Sequence, residues 1–256
     1  MKKVHSIAFV SLLGLCMACG NTTQQAEDSD SITKETTDTE TSESKTISHN
    51  QLLEEEKAEG WKLLFDGQTT QGWHSYLQEG VVGWEVKEGV ISTEGGSGDL
   101  ATDEEFENFE LSIEWAISPQ GNSGIFYMVQ ESEENKTPYM TGPEYQLIDD
   151  EGYPTVLEEA QKSGANYALH APESIVSKAP GEFNHTRIIV NNGHVQHWLN
   201  GQKVVEYELG SEDWTQRKEA SKFKEMTGYA TATKGRIALQ DHGDKVEFRN
   251  IKIKTL

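Results

Sequence analysis

From Phe109 to Ile117 the chain reads Phe-Glu-Leu-Ser-Ile-Glu-Trp-Ala-Ile, with a large apolar residue at every odd position and mostly charged or small residues between. That period of two puts all the bulk on one side of an extended strand and nowhere coherent on a helix. A strand of this kind needs a second layer to cover its apolar face. Arg187 to Val190, Val204 to Leu209, Arg236 to Leu239 and Val246 to Lys254 alternate in the same way. Between the runs lie Lys87-Glu88-Gly89, Asn191-Asn192-Gly193 and Leu199-Asn200-Gly201. Asn-Gly supplies the positive φ angles of tight hairpins. Roughly a dozen short strands at this spacing predict one all-β sandwich or barrel over residues 60–256. A single helix interrupts them, with Ser211 as its cap, Glu212 and Asp213 at its positive end, and Lys222 and Lys224 at its negative end.

The two cysteines, Cys16 and Cys19, both fall in the first segment, so the domain itself has neither disulfide nor thiolate metal site. Met1-Lys2-Lys3 precedes an apolar run from Ile7 to Leu15 that is shorter than the ~20 residues a membrane span needs. Residues 1–18 read as a signal peptide. Ala18 followed by Cys19 resembles the lipobox of bacterial lipoproteins, which implies lipidation of Cys19 and anchoring in the cell envelope, facing the periplasm or the outside. Residues 19–59 form an acidic Ser/Thr-rich tether expected to be disordered, with a short helix over Leu52 to Glu59 leading into the fold. The net charge of −21 excludes a nucleic-acid binder and a protein lying flat on anionic lipid, so membrane contact comes through the anchor alone. It also disfavours an acidic polysaccharide as substrate.

Residues 121–184 differ in character, being rich in Gly, Asn, Tyr and Pro, and long loops on a β scaffold commonly carry function. Gly121-Asn122-Ser123-Gly124 either allows close approach of a ligand or strand, or is a plain hairpin turn. In Gly142-Pro143-Glu144-Tyr145-Gln146-Leu147-Ile148-Asp149, Tyr145 and Leu147 suit a core face. Glu144 and Gln146 then project together from the other face, where a carboxylate and an amide bind hydroxyls or act as a base. Gln240-Asp241-His242-Gly243 ends a strand with a residue able to move protons near neutrality. His194 and His197 are on opposite faces of one hairpin strand and suggest no shared metal. No metal or cofactor is called for, although Asp149 or Asp150 has the chemistry to hold a cation. Serine-hydrolase elbow, P-loop and dinucleotide motifs are absent, and Glu94-Gly95-Gly96-Ser97-Gly98 is a turn and no phosphate loop. Glu-x-Gln at 144–146 also lacks the paired carboxylates of ordinary glycosidases.

An ordered set of motifs resembles the 3-keto-disaccharide hydrolase domain family. They are Leu64-Phe65-Asp66-Gly67 with Gly72-Trp73, Phe109-Glu110-Leu111, Gly121-Asn122-Ser123-Gly124, Gly142 to Gln146, Lys178 with Gly181 to Asn184, Leu199-Asn200-Gly201, Gly235 to Gly243, and Phe248 to Ile251. Phe183 stands where tryptophan is usual. The resemblance implies a concanavalin A-like jelly roll and cleavage of glycosides oxidised at C3. There, removal of the C2 proton, β-elimination at C1 and addition of water replace two-carboxylate hydrolysis. It implies Glu144 or His242 as base and acid, Lys178 on the enolate oxygen, and Asn122, Gln146, Tyr167 and Gln240 on hydroxyls, with His170 a further candidate. The partner is then a small carbohydrate, and the oligomeric state stays open. Two rivals remain: a carbohydrate-binding module stacking sugars on Trp73, Trp84 or Trp198, and an adhesive surface protein.

Overall fold

The computed structural model describes residues 49–256, so the signal peptide, Cys19 and most of the tether lie outside the described residues. A short helix α1 (Glu54–Ala58) leads into β1 (Trp61–Leu63), β2 (Trp73–Ser75), β3 (Glu85–Lys87), β4 (Val90–Thr93) and β5 (Leu100–Thr102). The long strands follow: β6 (Phe109–Ile117), β7 (Asn122–Val129), β8 (Glu144–Ile148), β9 (Asn184–Asn191), β10 (His194–Leu199) and β11 (Gln202–Glu208). After the helix α2 (Glu212–Ala220) come β12 (Arg236–Leu239) and β13 (Val246–Thr255). One sheet has the order β11-β10-β9-β6-β13-β4-β3, with β1 also on β13, and the other is β2-β5-β12-β7-β8. Every pairing is antiparallel. This is the expected all-β jelly-roll sandwich.

The alternation of β6 explains why the sheets stack. Phe109, Leu111, Ile113, Trp115 and Ile117 enter one buried cluster with Ile125, Tyr127, Tyr145, Leu147, Ile237 and Leu239 of the opposite sheet. Burial of a residue of this size stabilises by ~1.5–3 kcal/mol, which suffices without a disulfide. Contacts with the sandwich also involve residues before Trp61. Asn50 and Asn250 exchange reciprocal amide–carbonyl bonds of 2.6 and 2.8 Å across 200 residues, and Lys252 pairs with Glu56 of α1. Between the sheets His197 is fully buried, its ring bonded to Tyr127 Oη and to Gly164 O.

Two local readings are decided by the structure. Of the two readings of residues 121–124, close approach of a strand is the one seen: Asn122, Ser123 and Gly124 open β7, and Gly124 lies against Glu144 of the paired strand. Ser211 does cap α2, its Oγ accepting from Trp214 N, yet the helix stops at Ala220, and its last-turn cations are Arg217 and Lys218. Ser221 ends it by turning extended, with its hydroxyl accepting from Phe223 N, so Lys222 leaves the helix axis.

The second sheet presents the face that matters here. Glu144 stands opposite Phe126, Gln146 opposite Gly124, and Ile148 opposite Asn122. Ala238 is opposite Phe126 and Ala101, and Ala101 is opposite His74, so all five strands contribute to this face. Beyond β8 the segment 164–167 continues the pairing, with Gln146 N bonding Ala165 O and Tyr167 N bonding Glu144 O.

Candidate active site

Glu144 sits where a carboxylate has no ordinary reason to be. It is 5% exposed, and its oxygens accept no hydrogen bond from any described residue. Space for it exists because position 124 is glycine: a Cβ there would lie 2.6 Å from Glu144 Oε1. Burial pushes its pKa up to about 8, against the attraction of Lys222 and with reinforcement from the charge of Asp99. Lys222 is shifted the opposite way, downward, by its own desolvation, which the charge of Glu144 resists. Lys222 is an exposed residue whose ammonium lies over the rings of Tyr167, Phe223 and Tyr139 at 4.3, 5.1 and 5.5 Å. Tyr229, buried and stacked on Phe223 at 4.1 Å, has a hydroxyl without a partner and feels the charge of Glu144.

Two neighbouring amides also have buried oxygens without partners. Gln146 Nε2 donates to Asn122 Oδ1 at 3.1 Å, which leaves Gln146 Oε1 buried and unpartnered. Gln240 is tied to β7 through its backbone N to Gly124 O at 2.9 Å, and its Oε1 is unpartnered as well. Two orphaned acceptors beside a carboxylate cost about 1–3 kcal/mol each unless a ligand supplies donors. Sugar hydroxyls are such donors.

Asp99 closes the rim of this face. Burial raises it to about 6, against a hydrogen bond from Asp241 N and with the charge of Asp241 adding to the rise. Asp241 is itself held by Gly96 N, Ser97 N and Gly98 N. The Gly95-Gly96-Ser97-Gly98 turn therefore does cradle an anion, but a protein carboxylate and no phosphate.

Of the residues singled out in the sequence, Glu144, Gln146, Asn122, Gln240 and Tyr167 come together here. Tyr167 reaches the site through its ring, under Lys222, and its hydroxyl pKa is raised by burial foremost and by Glu144 in part. Lys178 is not beside Glu144. Its amine donates to Phe183 O at 2.7 Å, and Phe183 lies under Arg249 of the other sheet. The cation facing Glu144 is Lys222, which helix-capping logic assigned to the end of α2. His242 is exposed, two residues past Gln240, and makes no hydrogen bond to Glu144. His170 is absorbed in structure, bonded to Asp213 at 3.2 Å and stacked on Tyr207. Asp99, Lys222 and Tyr229 carried no sequence signal beyond residue type, because loop closure alone brings them to β8. Among the described residues no group of three or more His, Cys, Asp or Glu is arranged to hold a metal.

Comparison with known proteins fits this geometry. A model of the 3-keto-alpha-glucoside-1,2-lyase-like domain matches residues 60–254. The chain belongs to this family. A 3-keto-disaccharide hydrolase of Bacteroides thetaiotaomicron is 34% identical over 230 residues, covering 78% of this chain and 79% of that protein. A crystal structure from Parabacteroides distasonis, provisionally named a glycosyl hydrolase, aligns with TM-score 0.79 at 45% identity over 82% of this chain and 100% of its own. A second from the same organism, under the same provisional name, gives TM-score 0.59 at 29% identity over 77% and 99%. This member of the 3-keto-alpha-glucoside-1,2-lyase-like family is an enzyme of the glycoside-hydrolase type. The non-catalytic alternative also loses its platforms: Trp73 and Trp84 are in the core, and Trp198 is covered by Arg187 at 5.2 Å.

Proposed function

We propose that the enzyme cleaves 3-keto-glycosides by taking the C2 proton with Glu144, expelling the C1 substituent and adding water to the resulting enone. One observation carries the reading: a buried carboxylate without a protein hydrogen bond, set against a glycine and facing a lysine. A base whose affinity for protons is raised by burial is better matched to a weakly acidic C–H bond than an ordinary carboxylate. The C3 ketone is what makes that C–H acidic, so an unoxidised sugar offers Glu144 nothing to remove. Positive charge at Lys222 offsets the negative charge growing on the ketone oxygen. Gln146, Gln240 and Asn122 supply acceptors and donors for the remaining hydroxyls, which favours a small, neutral, hydroxyl-rich substrate. Asp99, whose charge Glu144 feels, returns a proton to the leaving oxygen, with His242, exposed just past Gln240, the other candidate. Cys19, through its lipid, would hold this chemistry in the cell envelope.

The test is incubation with a 3-keto-disaccharide and its unoxidised parent in deuterium oxide. The keto sugar is expected to be cleaved and to exchange at C2, and the parent to be untouched. Glu144→Gln should abolish both exchange and cleavage while the protein stays folded. Cleavage of the unoxidised sugar, or full activity of Glu144→Gln, would overturn the assignment.

A further inference from the structure

At 36%, Tyr139 is the most exposed aromatic side chain among the described residues, and it belongs to neither buried cluster. Its backbone is nevertheless tightly held. It sits in a single 3-10 turn, Pro138–Met140, whose first residue is a buried proline with its φ fixed by the ring. Thr141 N and Gly142 N both donate to Pro138 O, at 3.1 and 2.9 Å. Thr141 Oγ1 accepts from Gln130 N at 3.0 Å and Thr141 O from Ala230 N at 2.7 Å, which staples the turn to the chain just past β7 and to the segment after Tyr229. Gly142 allows this close approach, since a Cβ there would meet Tyr127 O at 2.7 Å. An exposed ring on a fixed backbone offers a ligand a flat apolar face at little entropic cost.

A row of contacts leads from Glu144 to that ring. Asn166 bridges Tyr145, so the next pair, Glu144 and Tyr167, are neighbours on the other face, and Tyr167 N bonds Glu144 O at 3.0 Å. Ala168, which follows Tyr167, has a φ of 60°, a left-handed conformation that alanine seldom adopts, and its N is held by Ala160 O at 2.8 Å. The Lys222 ammonium lies 4.3 Å from the centre of the Tyr167 ring and 5.5 Å from that of Tyr139, so one charge bridges the two rings. Among the described residues it makes no ion pair within 4 Å, whereas Lys62 and Lys252 bind Glu104 and Glu56 directly, and its donors are open to the hydroxyls of a ligand.

We propose that Tyr139 is the platform for the leaving group: the second sugar ring of a disaccharide stacks its C–H face on the Tyr139 ring while the oxidised ring lies over Glu144. The inference rests on the 3-keto reading above. The division follows from exposure. Glu144, Gln146 and Asn122 are buried, so the ring that reacts occupies the enclosed end. What hangs from C1 extends to the open side, where Tyr139 is the flat apolar surface and the bridging ammonium of Lys222 is a donor. A sugar ring carries C–H bonds on its face and hydroxyls round its rim, which suits an aromatic ring beside a donor. Such a subsite favours a leaving group that itself contains a ring, another sugar above all, over a bare alkyl group. Contact made away from the reacting atoms strengthens ground state and transition state alike and shows mainly in KM.

The experiment measures kcat and KM of the full enzyme on a 3-keto-disaccharide and on the methyl 3-keto-glycoside of the same oxidised sugar, for the original chain, Tyr139→Ala and Tyr139→Phe. Tyr139→Ala should lose about tenfold more in kcat/KM on the disaccharide than on the methyl glycoside, chiefly through KM, and Tyr139→Phe should recover most of that difference. A thermal melt checks the fold, which truncation of so exposed a side chain should leave intact. Equal losses on the two substrates would overturn the inference, since the ring would then serve the oxidised sugar or the shape of the site. No loss on either would show that no contact is made, and a Tyr139→Phe enzyme as weak as Tyr139→Ala would assign the effect to the hydroxyl; both overturn it. Failure of the unchanged enzyme to cleave either keto substrate would instead sink the underlying 3-keto reading and this inference with it.

Discussion

Gly124→Ala tests the packing of the site with a single methyl group. The backbone at Gly124 is ordinary strand, without the positive φ that would penalise alanine. The new Cβ would stand 2.6 Å from Glu144 Oε1, 3.0 Å from its Cγ and 3.1 Å from its Cδ, where ordinary contact begins near 3.4 Å. The carboxylate must therefore withdraw by about 0.8 Å, the difference between 3.4 and 2.6 Å. A displacement near 1 Å at a reacting group costs on the order of 10²-fold in rate, or about 2.7 kcal/mol in the barrier. Stability should move the other way, because replacing glycine restricts the unfolded chain by ~0.4–1 kcal/mol. The expected enzyme is as stable as the original, or slightly more so, and about 50- to 100-fold slower in kcat/KM on a 3-keto-glycoside. Steady-state kinetics beside a thermal melt separate the two effects. Full activity, or a loss that merely follows unfolding, would refute the claim that Gly124 exists to seat Glu144.

The raised pKa of Glu144 predicts that kcat/KM climbs with pH up to about 8 and then levels, which a pH–rate profile checks. The same shift affects stability. Between 4.5 and about 8 the folded protein keeps a proton that the unfolded chain releases, so stability falls as pH rises through this window. The slope is at most about 1.4 kcal/mol per pH unit, and Glu144→Gln should flatten it and raise Tm at pH 8. His197 behaves in the opposite sense. Its pKa is held down at about 3 by burial, so stability is lost as pH falls below 6.5, and urea midpoints at pH 7 and 4 should show it. Asp241→Ala removes the shared acceptor of the Gly96, Ser97 and Gly98 amides, which are largely open to water, and should destabilise by about 0.5–1.5 kcal/mol, with loosened hydrogen exchange confined to that turn.

Much of the fold is legible because alternation leaves few choices. β6 spans the same residues, Phe109–Ile117, that the period-two run marks, and β12 matches Arg236–Leu239. The face assignment of β8 also follows from parity: Tyr145 and Leu147 are wholly buried in the core, and Glu144 and Gln146 leave from the other side. Composition left the outcome open, or misled, where a residue has two local uses. Gly121-Asn122-Ser123-Gly124 allowed both a turn and a close strand approach, and the second holds, since a carboxylate on the neighbouring strand requires the missing side chain. Lys222 has the charge suited to a helix C-terminus, yet the extended backbone of Ser221 takes it off the helix.

The sequence by itself determined the layers, the strand faces and the ordered motifs that mark the family, because these depend on contacts between neighbours in the chain and on burial of one apolar side. Only the tertiary structure decided which charges meet. Asp99, Glu144 and Lys222 come from three distant segments, and their protonation is set by shared burial rather than by adjacent residues. In the sequence Lys178 belongs to a motif of the family and Lys222 only to the end of a helix, which makes Lys178 the better candidate. The fold sends one to a backbone carbonyl near the other sheet and turns the other toward the buried carboxylate. Electrostatic coupling acts through space and through the exclusion of water, and neither quantity is written in the order of residues.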